Sequence, residues 1–168
     1  MARTPPRNAQ MGSRASDYIL ITMADSILVS VLRQAFEGEP GFDFRVIQGP
    51  GGQEPQAVSV FKDGKCFQHI LLGALNKPNT ARVLLEPKLE EMRQVAPPEW
   101  EMVLGCAYQD GKIMVWKHVR NAIGDVPVKP MEIRGVRIYN LQDSFEKGLF
   151  LGICFLIKGH VTKQQSVN

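Results

Sequence analysis

Residues 58–72 read Val58-Ser-Val-Phe-Lys-Asp-Gly-Lys-Cys-Phe-Gln-His-Ile-Leu-Leu72, and residues 102–119 read Met102-Val-Leu-Gly-Cys-Ala-Tyr-Gln-Asp-Gly-Lys-Ile-Met-Val-Trp-Lys-His-Val119. Each is a run of strand-forming residues that turns back at an Asp-Gly-Lys. A type I′ turn needs positive φ at both central positions, so Asp-Gly between such runs is a strong hairpin signal. The turns also set the register. Closing at Asp63-Gly64 puts Phe61 opposite Cys66, Val60 opposite Phe67 and Val58 opposite His69, with Lys62 facing Lys65. Closing at Asp110-Gly111 pairs Tyr108 with Ile113, Ala107 with Met114 and Cys106 with Val115. It also sets Trp116 across from Gly105, where an indole can cover bare backbone. The second hairpin resembles the end of a propeller blade, but this chain has no room for several such repeats. The two hairpins therefore read as the framework of a β-rich core.

Outward from them, the elements are shorter. Asp25 stands as an N-cap before Ile27, Leu28, Val31, Leu32 and Ala35, which follow at helical spacing, and Gly38 stands where a helix ends. Phe42–Ile47 alternates as a strand does. The loop Gln48–Gln56 lacks the Gly-Lys-Ser/Thr ending that would cradle a phosphate. Arg82–Leu85 reads as a strand and Pro87–Val95 as a short helix that Pro97-Pro98 ends. Met131–Tyr139 is a strand whose apolar phase slips at Gly135, which implies a β-bulge there. Leu149–Ile157 is apolar on both faces, as a central strand is. The expectation is one α+β domain over residues 17–160, with six or seven short, mostly antiparallel strands, one long helix and one short helix. A flexible basic arm (1–16) precedes it and a polar tail (161–168) follows.

At 168 residues, 44% of them hydrophobic, the chain has material for one real core. Arg3, Arg7 and Arg14, with no acid in residues 1–16, account for the whole net charge of +3. Such an arm can draw a neutral body toward phosphate or an anionic surface, although three arginines are too few to bind tightly alone. The cysteines, Cys66, Cys106 and Cys154, are odd in number and lie in apolar runs, which suits a reducing compartment. The longest apolar run falls short of the ~18–20 residues that span a bilayer, and no secretory signal is evident. The sequence thus predicts a soluble intracellular protein, at most a peripheral membrane binder.

Chemistry-bearing constellations are sparse. Cys66 and His69 form a Cys-x-x-His pair, which Cys106, His118, Cys154 and His160 could complete. Residues three apart on a regular strand point to opposite faces, so that pair cannot share an ion unless the strand is bulged. No metal and no cofactor are expected. A cysteine–histidine enzyme needs a thiolate beside an imidazole, and none of the three cysteines has the setting that lowers a thiol pKa. Glu90-Glu91 and Glu99/Glu101 read as surface charge. Basic residues near an aromatic, Lys117 and Arg120 beside Trp116, join Arg134 and Arg137 on a later strand. With Arg3, Arg7 and Arg14 they form the candidate interaction surface for nucleic acid or anionic lipid.

At Asp143-Ser-Phe-Glu-Lys-Gly-Leu-Phe-Leu-Gly-Ile-Cys154 the chain resembles the C-terminal region of rhabdovirus matrix proteins, where a charged turn containing Glu-Lys runs into an apolar strand with a glycine. Glu146, Lys147, Leu149, Gly152 and Ile153 carry the likeness. Size and the basic arm suit the smaller matrix proteins of plant-infecting members. Those often carry Pro-Pro-x-Tyr in the arm, whereas this arm has Pro5-Pro6-Arg7-Asn8, so a budding role is not implied. The resemblance implies a non-enzymatic assembly protein that self-associates, contacts nucleocapsid and attaches peripherally to the inner face of the membrane inside a virion. The expectation is thus a non-catalytic structural or interaction protein. Its alternative is a small cysteine-dependent enzyme using a Cys–His pair.

Overall fold

The computed structural model describes residues 26–49, 55–119 and 128–162. In chain order the elements are α1 (Ser26–Phe36), β1 (Phe42–Gln48), β2 (Pro55–Lys62), β3 (Lys65–Leu72), α2 (Pro78–Val95), β4 (Met102–Gln109), β5 (Lys112–Val119), β6 (Val128–Pro130), β7 (Ile138–Asn140) and α3 (Ser144–Thr162). The strands form one seven-stranded sheet in the order β1-β2-β3-β4-β5-β6, with β7 also pairing β5. The molecule is a single α+β domain. All described pairings are antiparallel except β3 with β4, which run parallel and are joined through α2.

Both Asp-Gly turns close as expected, with Asp63, Gly64, Asp110 and Gly111 all at positive φ. The second hairpin keeps the predicted register throughout, including Gly105 opposite Trp116. The first departs from it after two pairs. Lys62 meets Lys65 and Phe61 meets Cys66, but Val60 then pairs with Gln68 and Val58 with Ile70. Phe67 is the extra residue of a bulge, and its ring turns to Phe36 of α1 and to Trp100. The bulge is why Val60–Phe67 and Val58–His69 do not pair.

Helices cover both faces of the sheet, so β3, β4 and β5 are buried almost throughout. α2 lies on the face that presents Gly105. A Cβ there would come within 3.1 Å of Leu89 Cδ1 and 3.2 Å of Leu85 Cδ2, so the absent side chain is what lets the helix settle. α1 and α3 lie on the opposite face. There Phe36 meets Phe42 and Phe44 at centroid distances of 5.3 and 6.2 Å, and Cys154 of α3 meets the Gln68 amide. Gly38, at φ +86°, ends α1 as its position implied. Asp25, the expected cap, lies outside the described residues.

Three expectations are corrected. Arg82–Leu85 is not a strand: with Pro87–Val95 it belongs to α2, whose Ala81, Leu85, Leu89 and Met92 make one buried stripe. Pro87 sits mid-helix on the exposed side, where its missing N–H is tolerated. Met131–Tyr139 is not a bulged strand. Ile133 and Val136 exchange two backbone hydrogen bonds (3.0 and 2.9 Å) around Arg134-Gly135, both at positive φ, making a tight two-residue turn. Leu149–Ile157 is not a central strand but the middle of α3, which continues through a buried Val161 to Thr162. Among the described residues there are therefore three helices, where two were expected.

Candidate interaction surface

Asp143 caps the start of α3: its Oδ2 accepts from Glu146 N at 2.9 Å, while Glu146 Oε1 accepts from Asn140 N at 2.7 Å. The first bond caps one of the amides that a helix start leaves open, and the second ties the first turn of α3 back to the end of β7. Inward, Phe150, Ile153, Cys154, Ile157 and Val161 fill the core. Flanking polar groups are turned to neighbours. Lys158 Nζ donates to Ala35 O at 2.8 Å and pairs with Glu39 at 3.2 Å, and His160 Nε2 accepts from Glu101 N at 2.6 Å.

What remains outward is apolar. From Phe145 to Gly159, each exposed residue of α3 is Phe, Leu or Gly: Phe145, Gly148, Gly152, Phe155, Leu156 and Gly159. Phe145 and Leu156 are each 55% exposed and Phe155 46%. A helix apolar on all sides is ordinarily covered on all sides. Between this face and the Arg134 turn runs an open groove of about 640 Å³, lined by Ile133, Arg134, Phe145, Gly148, Gly152 and Leu156.

The basic residues singled out in the sequence fall differently. Arg134 edges this groove at the tip of its turn. Arg137 pairs with Glu132 at 3.2 Å, which offsets its charge. Lys117 is half-buried within β5, opposite Lys129 of β6. Arg3, Arg7, Arg14 and Arg120 lie outside the described residues.

Two buried histidines sit on the α2 face. The bulge at Phe67 places Cys66 and His69 on the same side, against the expectation that they point apart. Ser59 Oγ lies 2.7 Å from His69 Nδ1 and also hydrogen-bonds with Cys66, and Lys88 of α2 acts on both. Their ionisation runs the wrong way for a thiolate–imidazolium pair. Burial raises the Cys66 thiol, while burial and then the Lys88 ammonium push His69 down to about 4. Burial also takes Cys106 up to about 12 and Cys154 well above its ordinary value. At His118, Arg93 Nη1 donates to Nδ1 at 3.2 Å, so Nε2 carries the hydrogen and donates to Glu90 Oε1 at 3.1 Å. This bridge ties β5 to α2. Burial, then Arg93, lowers the His118 pKa.

Among the described residues, no group of three or more His, Cys, Asp or Glu side chains is placed to hold a metal ion. No described helix is long and apolar enough to cross a membrane. The sequence reading missed the α3 face altogether. Asp143-Ser-Phe-Glu146 was the available signal, a capping pattern ahead of an apolar run. Compared with protein-family models, curated proteins and solved structures, the chain matches none.

Proposed function

We propose that the protein is a non-catalytic interaction module that engages its partner through the outward face of α3. The observation that carries this is the uncharged exposed stripe from Phe145 to Gly159. Half-exposed Phe145, Phe155 and Leu156 each leave roughly 100 Å² in water, and covering each would contribute about 2.5 kcal/mol. The Cys–His alternative loses its support in the raised thiols and the neutral His69.

A matrix-type assembly role, with contacts to nucleocapsid and anionic membrane, is the finer form of the proposal. It rests on the residue likeness at 143–154, a stretch that is helical where the likeness implied a strand. Arg134 and the arm's Arg3, Arg7 and Arg14 would give such contacts a weak, salt-sensitive character. A photo-reactive phenylalanine analogue at Phe155, in cells producing the protein, should form a discrete protein adduct, whereas one at Glu99 should not. Equal labelling from both positions, or none from Phe155, would sink the reading.

A further inference from the structure

We propose that the α3 face is covered by the same face of a second copy of this chain, with the two helices antiparallel about a twofold axis near residue 150; this rests on reading that face as an interaction surface. Phe145, Gly148, Gly152 and Phe155 are spaced 3, 4 and 3 apart and read Phe-Gly-Gly-Phe in either direction. A twofold antiparallel pair has that symmetry: residue i meets j, and j meets i. Gly148 of one copy lies beside Gly152 of the other, where two bare backbones approach closely, and Phe145 lies beside Phe155 at each end. Beyond the adjoining backbone of α3 itself, a Cβ built on either glycine meets nothing within 4 Å, so core packing does not require glycine there.

Charge and area agree with this occupant. Near a twofold axis any charge faces its own kind, and the stripe carries none. Three side chains of roughly 100 Å² per copy, with glycine backbone and groove wall, bring the pair toward the ~1,000 Å² of a specific interface. A bilayer fits less well, since interfacial helices bring lysines and arginines to the lipid. Lys158 is instead turned to Ala35 O and Glu39.

Sedimentation equilibrium of the full chain should give twice its 18.8 kDa, with Gly152→Ile weakening the dimer at least ~10-fold. Gly152→Ala should keep or raise the melting temperature, which shows that position 152 tolerates a side chain in the fold. Because the three native thiols are buried, a mixture of Gly148→Cys and Gly152→Cys should oxidise mainly to the mixed dimer. Homodimers of either variant in excess would mean a parallel pair and overturn the proposal. A chain monomeric to about 1 mM overturns it as well. If that monomer's Phe155 analogue still captures another protein, the interaction reading survives. If the monomer instead binds phosphatidylcholine–phosphatidylglycerol vesicles through α3, the dimer is overturned in favour of a lipid surface. A monomer that does neither overturns both.

Discussion

At pH 7 the imidazole of His69 is neutral, held there by burial and by the ammonium of Lys88. Unfolding frees it to titrate near 6.5, while in the fold it protonates only near 4. As pH falls through that window the unfolded chain takes up a proton that the folded chain refuses. Stability is therefore full above 6.5, declines toward pH 4 and levels off below it. The loss is about 3 kcal/mol from His69 alone, and His118 adds to it with the same sign. Urea unfolding at a series of pH values should show the slope, and His69→Gln should flatten it. A slope unchanged in that variant would mean that other groups set the pH dependence. Residue identities alone could not place this histidine. Its face depends on the one-residue bulge at Phe67, and on a regular strand Cys66 and His69 diverge.

Among the elements, the hairpins were legible because Asp-Gly fixes both the turn and the register around it. The Leu149–Ile157 segment was not. A stretch apolar on every side reads the same whether it is a central strand or a covered helix. The cap at Asp143 decides between them, and Asp143→Ala should cost about 1 kcal/mol and lower the thermal midpoint. In α2, Pro87 read as a helix start because mid-helix proline is costly, yet the buried stripe from Ala81 to Met92 carries the helix across it. The close contact of Leu85 and Leu89 over Gly105 implies that Gly105→Val is destabilising by roughly 1–3 kcal/mol. Chemical denaturation checks both variants. A neutral Gly105→Val would show that the sheet and α2 can separate at small cost.

Across the whole molecule, helices on both sheet faces account for the long apolar runs and for the burial of all three thiols. Ellman's reagent should find none of them reactive in the folded protein and all three after denaturation. A fast-reacting thiol in the native state would revive the cysteine-enzyme alternative. The interaction surface was the least legible feature, because Phe145, Gly148, Gly152 and Phe155 become neighbours only once the segment is helical. The arm can be weighed directly: deleting residues 2–16 should abolish any salt-sensitive binding to anionic vesicles or RNA. Retained binding would remove the arm from that role.

The parallel junction of β3 and β4 also bears on how the chain reaches its fold. The antiparallel pairs on either side involve strands near in sequence and can form early. β3 and β4 can pair only after α2 has crossed between them, which makes this the slow, non-local step. Leu89→Ala, which loosens α2 over Gly105, should slow refolding, whereas Val46→Ala in β1 should mainly speed unfolding. Stopped-flow kinetics would separate the two. In hydrogen exchange, the amides linking β3 to β4 should be the last to gain protection during folding, although they lie at the centre of the sheet.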